Sequence, residues 1–198
     1  GFLSVYDRPI WQTIHGGARE YVRRLTRAFQ KRIRLRTPVA WIKREAEHVL
    51  VQPADGQAER FDQVVGAAHG DQALRLLADP SPQEQQVLGA FAYQENDAVL
   101  HTDTALLPQC RRAWASWNYH VPSAEGASAT VTYNMNLLQS LPAGPTYCVT
   151  LNRTEAIRPE CILRRFTYHH PVLSTAAAAA QQRWDAVNGQ RRTYFCGA

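Results

Sequence analysis

The sequence predicts an α/β protein, α+β within this stretch, in which a sheet-rich insertion interrupts an α/β portion. Three observations carry that prediction. A helical apolar period begins directly after a Gly-Gly pair at 16–17. A strand ending in small residues leads straight into a helix around 61–77. Aromatic and β-branched segments then fill roughly 91–173, before a helix and a last strand return to the first portion. With 198 residues, 45% of them hydrophobic, the chain is long enough to bury a substantial core as one ordinary domain or two small ones.

Taken in order, Ala18, Val22, Leu25 and Phe29 recur every three or four residues, with Arg19, Arg23, Arg27 and Lys31 on the opposite face. That pattern predicts a helix over 18–31 lying on a core, its basic face wet. Strands are expected near 33–36, 38–44, 47–52 and 58–66, with Asp55-Gly56 as the tight turn of a hairpin. Val64 and Val65 end a buried strand, the small Gly66, Ala67 and Ala68 follow, and Asp71 to Leu77 reads as helix. A second short helix spans Pro82 to Leu88, with Ser81 or Asp79 available as its cap. The segments "YQENDAVLHTD", "RAWASWNYHV", "SATVTYNMN", "TYCVTLN" and "ILRRFTYHHPV" have the composition and spacing of an antiparallel sheet. A helix over Thr175 to Val187 and a short strand in "RTYFCGA" close the chain. The domain organisation expected is therefore 1–90, an inserted 91–173, and a returning 174–198.

Charge and composition narrow the function classes. The net charge is +5, and eight of the 22 Lys and Arg lie between Arg19 and Arg36. Such a local cluster reads as a solvated helix face, so no nucleic-acid partner is expected. No run of 18 apolar residues spans a membrane, and no secretory signal opens the sequence. The four cysteines, at 110, 148, 161 and 196, form no CxxC pair. Reduced thiols and a cytoplasmic location are the corresponding expectation.

Candidate chemistry is dispersed. Trp114, Trp117, Asn118, Tyr119 and His120 could line a cavity, but strand alternation sends Trp117 and Tyr119 to one face and Asn118 and His120 to the other. His101, Asp103, His120, His169 and His170 are of metal-ligand or acid–base type without ligand spacing, and no metal is expected. No G-x-S-x-G elbow supports a serine nucleophile. The Gly16-Gly17 pair falls short of a dinucleotide or phosphate-loop fingerprint.

Taken in order, "GGAREYVRRL", "IRLRTPVAWIKRE…HVLV" and "FDQVVGAAHGDQALRLL" resemble the middle of the flavin-containing amine oxidase superfamily. "VLHTD", "AWASWNY", "VTYNMNLLQ", "YHHPV" and "TYFCGA" resemble a bacterial branch of predicted NAD/FAD-binding proteins. The resemblance covers nearly the whole chain, each motif weak alone and specific in order. It implies an FAD/NAD(P)-binding fold carrying an inserted antiparallel or mixed-sheet substrate domain, with FAD as cofactor of a longer protein and its loss expected from this piece alone. By the same resemblance, the backbone of Val39 would meet the adenine. Ala67 and Ala68 would pass near the diphosphate, and Gly197 would let backbone approach the cofactor. Gly16 and Gly17 then read as a close-packed lead-in to the helix, with direct flavin contact as the alternative.

The family's N-terminal strand–GxGxxG–helix is absent, and its closing motif stops at Ala198, which implies an internal piece of a longer enzyme. The implied reaction moves a hydride from a C–N or C–C bond of a small organic substrate to flavin. Trp117, Asn118, Tyr119, His101 and Tyr133 are the candidates to face the ring, for orientation and shielding. Many relatives use a lysine near the flavin. Only Lys31 and Lys43 occur here, so a desaturase- or isomerase-like reaction on an apolar substrate stays open. From other classes, a non-catalytic module binding an anionic ligand or lipid through its basic helix, or a histidine-based metal enzyme, remains an alternative. Self-association is compatible with the apolar surface that a partial chain would leave.

Overall fold

The computed structural model describes residues 12–121 and 130–197. Residues 1–11, the first two residues of "SATVTYNMN" and Ala198 lie outside them. In chain order the elements are α1 (Ala18–Thr26), β1 (Val39–Arg44), β2 (Val49–Pro53), β3 (Glu59–Phe61), β4 (Val64–Gly66), α2 (Gly70–Leu76) and α3 (Pro82–Leu88). There follow β5 (Tyr93–His101), β6 (Trp117–His120), β7 (Thr130–Asn134), α4 (Met135–Leu138), β8 (Cys148–Leu151), β9 (Ile162–Pro171), α5 (Thr175–Gln181) and β10 (Thr193–Phe195). The mixture of helix with parallel and antiparallel sheet is the α/β, α+β class read from the sequence.

The chain divides into two compact units. One comprises Gly1–Ile33 with Asn96–Tyr168, the other Arg34–Glu95 with His169–Ala198. The sheet-rich stretch thus spans Asn96–Tyr168 within the first unit, and residues up to 33 group with it.

In the second unit, β1, β2 and β3 form an antiparallel sheet in that order, and β4 pairs in parallel with β10. Ile42, Val49, Ala73, Leu77, Val87, Leu88, Ala180, Val187 and Phe195 make its core. Full burial of side chains such as Leu88 and Val87 contributes about 1.5–3 kcal/mol each. The N-terminus of α3 is held by a capping box in which Glu84 N–H donates to Ser81 Oγ and Ser81 N–H donates to Glu84 Oε2, with Pro82 in its first turn. Glu84 is also buried against Arg44: Nη1 and Nη2 each donate to its carboxylate at 2.9 Å, while Arg44 Nε donates to Asp79 at 2.7 Å. Arg191 meets the same Asp79 from the other side.

In the first unit the sheet runs β6-β7-β8-β5-β9. Register places Asn118 opposite Thr132, Thr132 opposite Thr150 and Thr150 opposite Val99. Those residues share one buried face with His101, Asn134 and Cys148.

Four local expectations are corrected. No strand forms at 33–36, because Arg36 turns the chain with φ 55° and Pro38 has no N–H for a ladder. The single strand expected at 58–66 is two, β3 and β4, which bend apart at Asp62–Gln63 to join different sheets. The helices expected to Lys31 and Val187 end at Thr26 and Gln181, each passing into turns and 3-10 helix. The turn between β2 and β3 is a five-residue loop with Gly56 at φ 108°, rather than a two-residue turn.

Candidate functional site

Strands β4 and β10 run side by side in the same direction, so their carboxyl ends lie together, the place where open α/β sheets bind ligands. Beyond β4 come Ala67 and Ala68; beyond β10 come Cys196 and Gly197. Cys196 N–H donates to Gly66 O at 3.0 Å and carries the pairing one residue further. At Gly197 a β-carbon would stand 1.7 Å from the carbonyl oxygen of Ala68, far inside van der Waals contact, so only glycine fits. Ala68 and Gly197 border a 360 Å³ cavity with Gly70, Tyr93, Trp184 and Phe195. Tyr93 is fixed there: its hydroxyl accepts from Gly70 N–H at 2.8 Å and its ring stacks on His69 with centroids 4.5 Å apart.

Val39 opens β1 opposite Pro53, which has no N–H to donate across the ladder. It borders a 220 Å³ recess with Arg34, Thr37, Glu59 and Phe61, where Arg34 and Glu59 form a two-pronged ion pair.

The sheet of the first unit separates the five ring-facing candidates. Trp117 lies directly opposite Tyr133, and Tyr133 opposite Val149; Tyr119 lies opposite Val131. These side chains share one face, with Trp117 47% and Tyr119 72% exposed. Asn118 and His101 occupy the opposite, buried face. Asn118 donates to Ala115 O and Thr132 O and accepts from Ala115 N–H, so its amide closes a local turn. His101 Nδ1 accepts from Asp103 N–H at 3.1 Å, which leaves Nε2 to carry the proton towards Thr150 Oγ1 at 2.7 Å. Burial lowers the His101 pKa, against the pull of Asp103. Asp103 accepts from Arg158 N–H, Nε and Nη2 and from Ala105 N–H. The Arg158 side chain leads in holding its pKa down at about 2.

Gly16 and Gly17 have φ of 80° and 82°, and Gly17 N–H donates to Ile14 O at 2.9 Å. The pair is therefore a turn that launches α1, at backbone angles that suit glycine. Beside it, His15 shares a 780 Å³ cavity with Trp117, Gln12, Thr13, Ser116 and Gln139. Nothing in the sequence pairs position 15 with position 117, since the contact depends on how the segment before α1 lies against β6.

All four cysteines are free thiols, and burial raises the Cys148 pKa to about 11. Among the described residues, no three His, Cys, Asp or Glu side chains converge as a metal-ligand set. No helix among them is long and apolar enough to cross a membrane.

A parallel strand pair closed by a glycine on backbone is an α/β arrangement. The family model described as flavin containing amine oxidoreductase matches residues 2–109, and the chain belongs to that family. No curated protein sequence matches the chain. Among solved structures, putrescine oxidase bound to putrescine is similar with a TM-score of 0.60 at 10% identity, over 92% of this chain and 47% of that one. Cyclohexylamine oxidase from Brevibacterium oxydans is similar with a TM-score of 0.56 at 10% identity, over 91% and 47%. A fatty acid isomerase from P. acnes that produces CLA gives 0.52 at 13% identity, over 82% and 42%. These likenesses show the fold, and the chain spans less than half the length of each.

Proposed function

We infer that the chain is part of an FAD-dependent oxidoreductase in which the second unit contributes to cofactor binding and the first carries the substrate surface. One observation carries this reading: Ala68 and Gly197 meet at the carboxyl ends of parallel strands, on a cavity, with no room for a β-carbon. The glycine lets the two strand ends close on each other beside the cavity, at the carboxyl ends of parallel strands where a dinucleotide diphosphate would lie. Family membership supports the choice of flavin. Bound FAD would supply hydride acceptance from a C–N or C–C bond of an organic substrate. Val39, Ala67, Ala68 and Gly197 position and pack the cofactor, Val39 towards the adenine. Trp117, Tyr119 and Tyr133 orient an apolar substrate and exclude water. His101 and Asn118 act from the buried face, holding the strands that carry those rings.

Carbon–carbon chemistry, desaturation or isomerisation, is the second reading, and it rests on the placement of this chain's own lysines. Of the two lysines, Lys43 is exposed on β1 and paired with Glu45 at 2.7 Å, and Lys31 is exposed in the short 3-10 helix Gln30–Arg32 after α1. Neither lines a cavity named above.

The test is purification of the natural protein that carries this chain, followed by its visible spectrum. Retained FAD is expected, with less retained in Trp184→Ala, which opens the 360 Å³ cavity. A natively purified protein that holds no flavin, and takes up none on addition of FAD, would refute the proposal.

A further inference from the structure

His101 ends β5, fully buried, with Cys148 directly opposite it on β8. Its ring begins a line of polar groups that crosses the sheet. Nε2 meets Thr150 Oγ1 on β8 at 2.7 Å, and Thr150 Oγ1 meets Thr132 Oγ1 on β7 at 2.8 Å. The Asn118 amide on β6 then donates to Thr132 O at 3.2 Å. One imidazole therefore anchors a line that reaches four strands, in addition to their backbone ladders. Every member is buried within the first unit, so these bonds do not depend on what covers its surface.

The line has room for one ring proton. Nδ1 accepts from Asp103 N–H at 3.1 Å, so it must be bare, and the proton belongs on Nε2. A second proton, on Nδ1, would set two donors face to face, and turning the ring over would only move the conflict. The adjacent carboxylate offers no relief. Asp103 already accepts from Ala105 N–H and from Arg158 N–H, Nε and Nη2, which fills the roughly four acceptor positions of a carboxylate. Among the described residues, Asp103 is the charged group acting on His101, with Arg158 behind it. Cys148 is a thiol that burial keeps neutral, its pKa raised to about 11.

We propose that His101 is an acid release for the sheet of the first unit: a solvent proton joins Nδ1 only when the side chain leaves its slot, which unties β5 from β8 and β7. Strands β6 and β7 carry Trp117, Tyr119 and Tyr133 on their other face, so the same proton loosens that face. The direction follows from burial, which lowers the His101 pKa against the pull of Asp103. Below the ordinary value of 6.5, the opened sheet takes up a proton that the closed sheet refuses. Opening then gains as pH falls, by up to about tenfold per pH unit for one proton.

The experiment is hydrogen–deuterium exchange of the natural protein carrying this chain, at pH 7, 6 and 5, corrected for intrinsic exchange. Peptides covering Ala98–His101, Thr130–Asn134 and Cys148–Leu151 should open more as pH falls, by up to about tenfold per unit. His101→Gln, whose amide both donates and accepts but takes no proton, should lose most of that dependence. Nitrogen shifts of the wild-type imidazole give a second reading that needs no variant, and decide the matter should His101→Gln fail to fold. A neutral ring protonated on Nε2 is expected wherever the strands stay protected. Three results would overturn the proposal: opening indifferent to pH, a folded His101→Gln protein with the wild-type dependence, or an imidazole that takes its second proton near pH 6.5 with protection unchanged. A protein that holds no flavin would leave all these readings as they are, so this proposal and the flavin reading fail separately.

Discussion

Replacing Arg44 by methionine tests the electrostatic centre of the second unit. The Arg44 side chain is 1% exposed and that of Glu84 2%, and the guanidinium grips the carboxylate with two bonds of 2.9 Å. Burial pushes the Glu84 pKa up; Arg44 and the Ser81 N–H pull it down further, leaving it below the ordinary carboxylate value. Arg44→Met keeps the volume roughly but strands the carboxylate with Ser81 alone. Breaking a buried pair from one side costs about 3–5 kcal/mol. With a urea slope of about 2.5 kcal/mol/M, the unfolding midpoint should fall by about 1–2 M. Asp79 keeps Arg191, so the loss should localise to Glu84. The double variant Arg44→Met/Glu84→Met should recover most of the loss, because no charge is left buried.

The pH dependence follows with a definite sign. In the wild type a lowered Glu84 pKa contributes stability above the usual carboxylate value that is lost as pH falls through the folded one. In Arg44→Met only Ser81 is left to oppose burial, the largest influence, so that pKa rises and the penalty should shrink as pH drops from 7 to 4. The assay is urea unfolding by circular dichroism and tryptophan fluorescence at both pH values. A single variant costing under about 1 kcal/mol, or a double variant no more stable than the single, would refute the argument.

Two further outcomes are expected. Gly197→Ala should open the β4–β10 end and destabilise the protein by at least about 1–3 kcal/mol, because the clash is with the Ala68 backbone rather than a movable side chain; an unchanged melting temperature would contradict it. Asp103, held at about 2, contributes stability that is full above the ordinary value of 3.8 and is lost as pH falls towards 2. Asp103→Asn should therefore lower the melting temperature at pH 7, with the difference closing by pH 2. A gap that stays constant over that range would show that the Arg158 contact is not electrostatic.

Much of the local structure was legible because it obeys short-range rules. Ser81, Pro82 and Glu84 announce the start of α3, and the capping box is there. The alternation of "WNYH" separates Trp117 and Tyr119 from Asn118, as the exposures bear out. Errors fell where the outcome depends on a distant partner. Residues 58–66 read as one strand because its apolar pattern is continuous, yet its two halves answer to different neighbours, β2 for one and β10 for the other.

By itself, then, the sequence determined most element types and the family resemblance, and through that resemblance it pointed to Ala67, Ala68 and Gly197 as candidate places of close backbone approach. Only the tertiary structure decided that Ala68 and Gly197 touch each other, across 129 positions of chain, and that His15 shares a cavity with Trp117. It also decided that the stripe of α1, read as a core face, lies exposed beside its arginines. Periodicity encodes that a face is apolar, through the 3.6-residue turn. What covers that face depends on contacts between segments far apart in sequence, which no local pattern specifies.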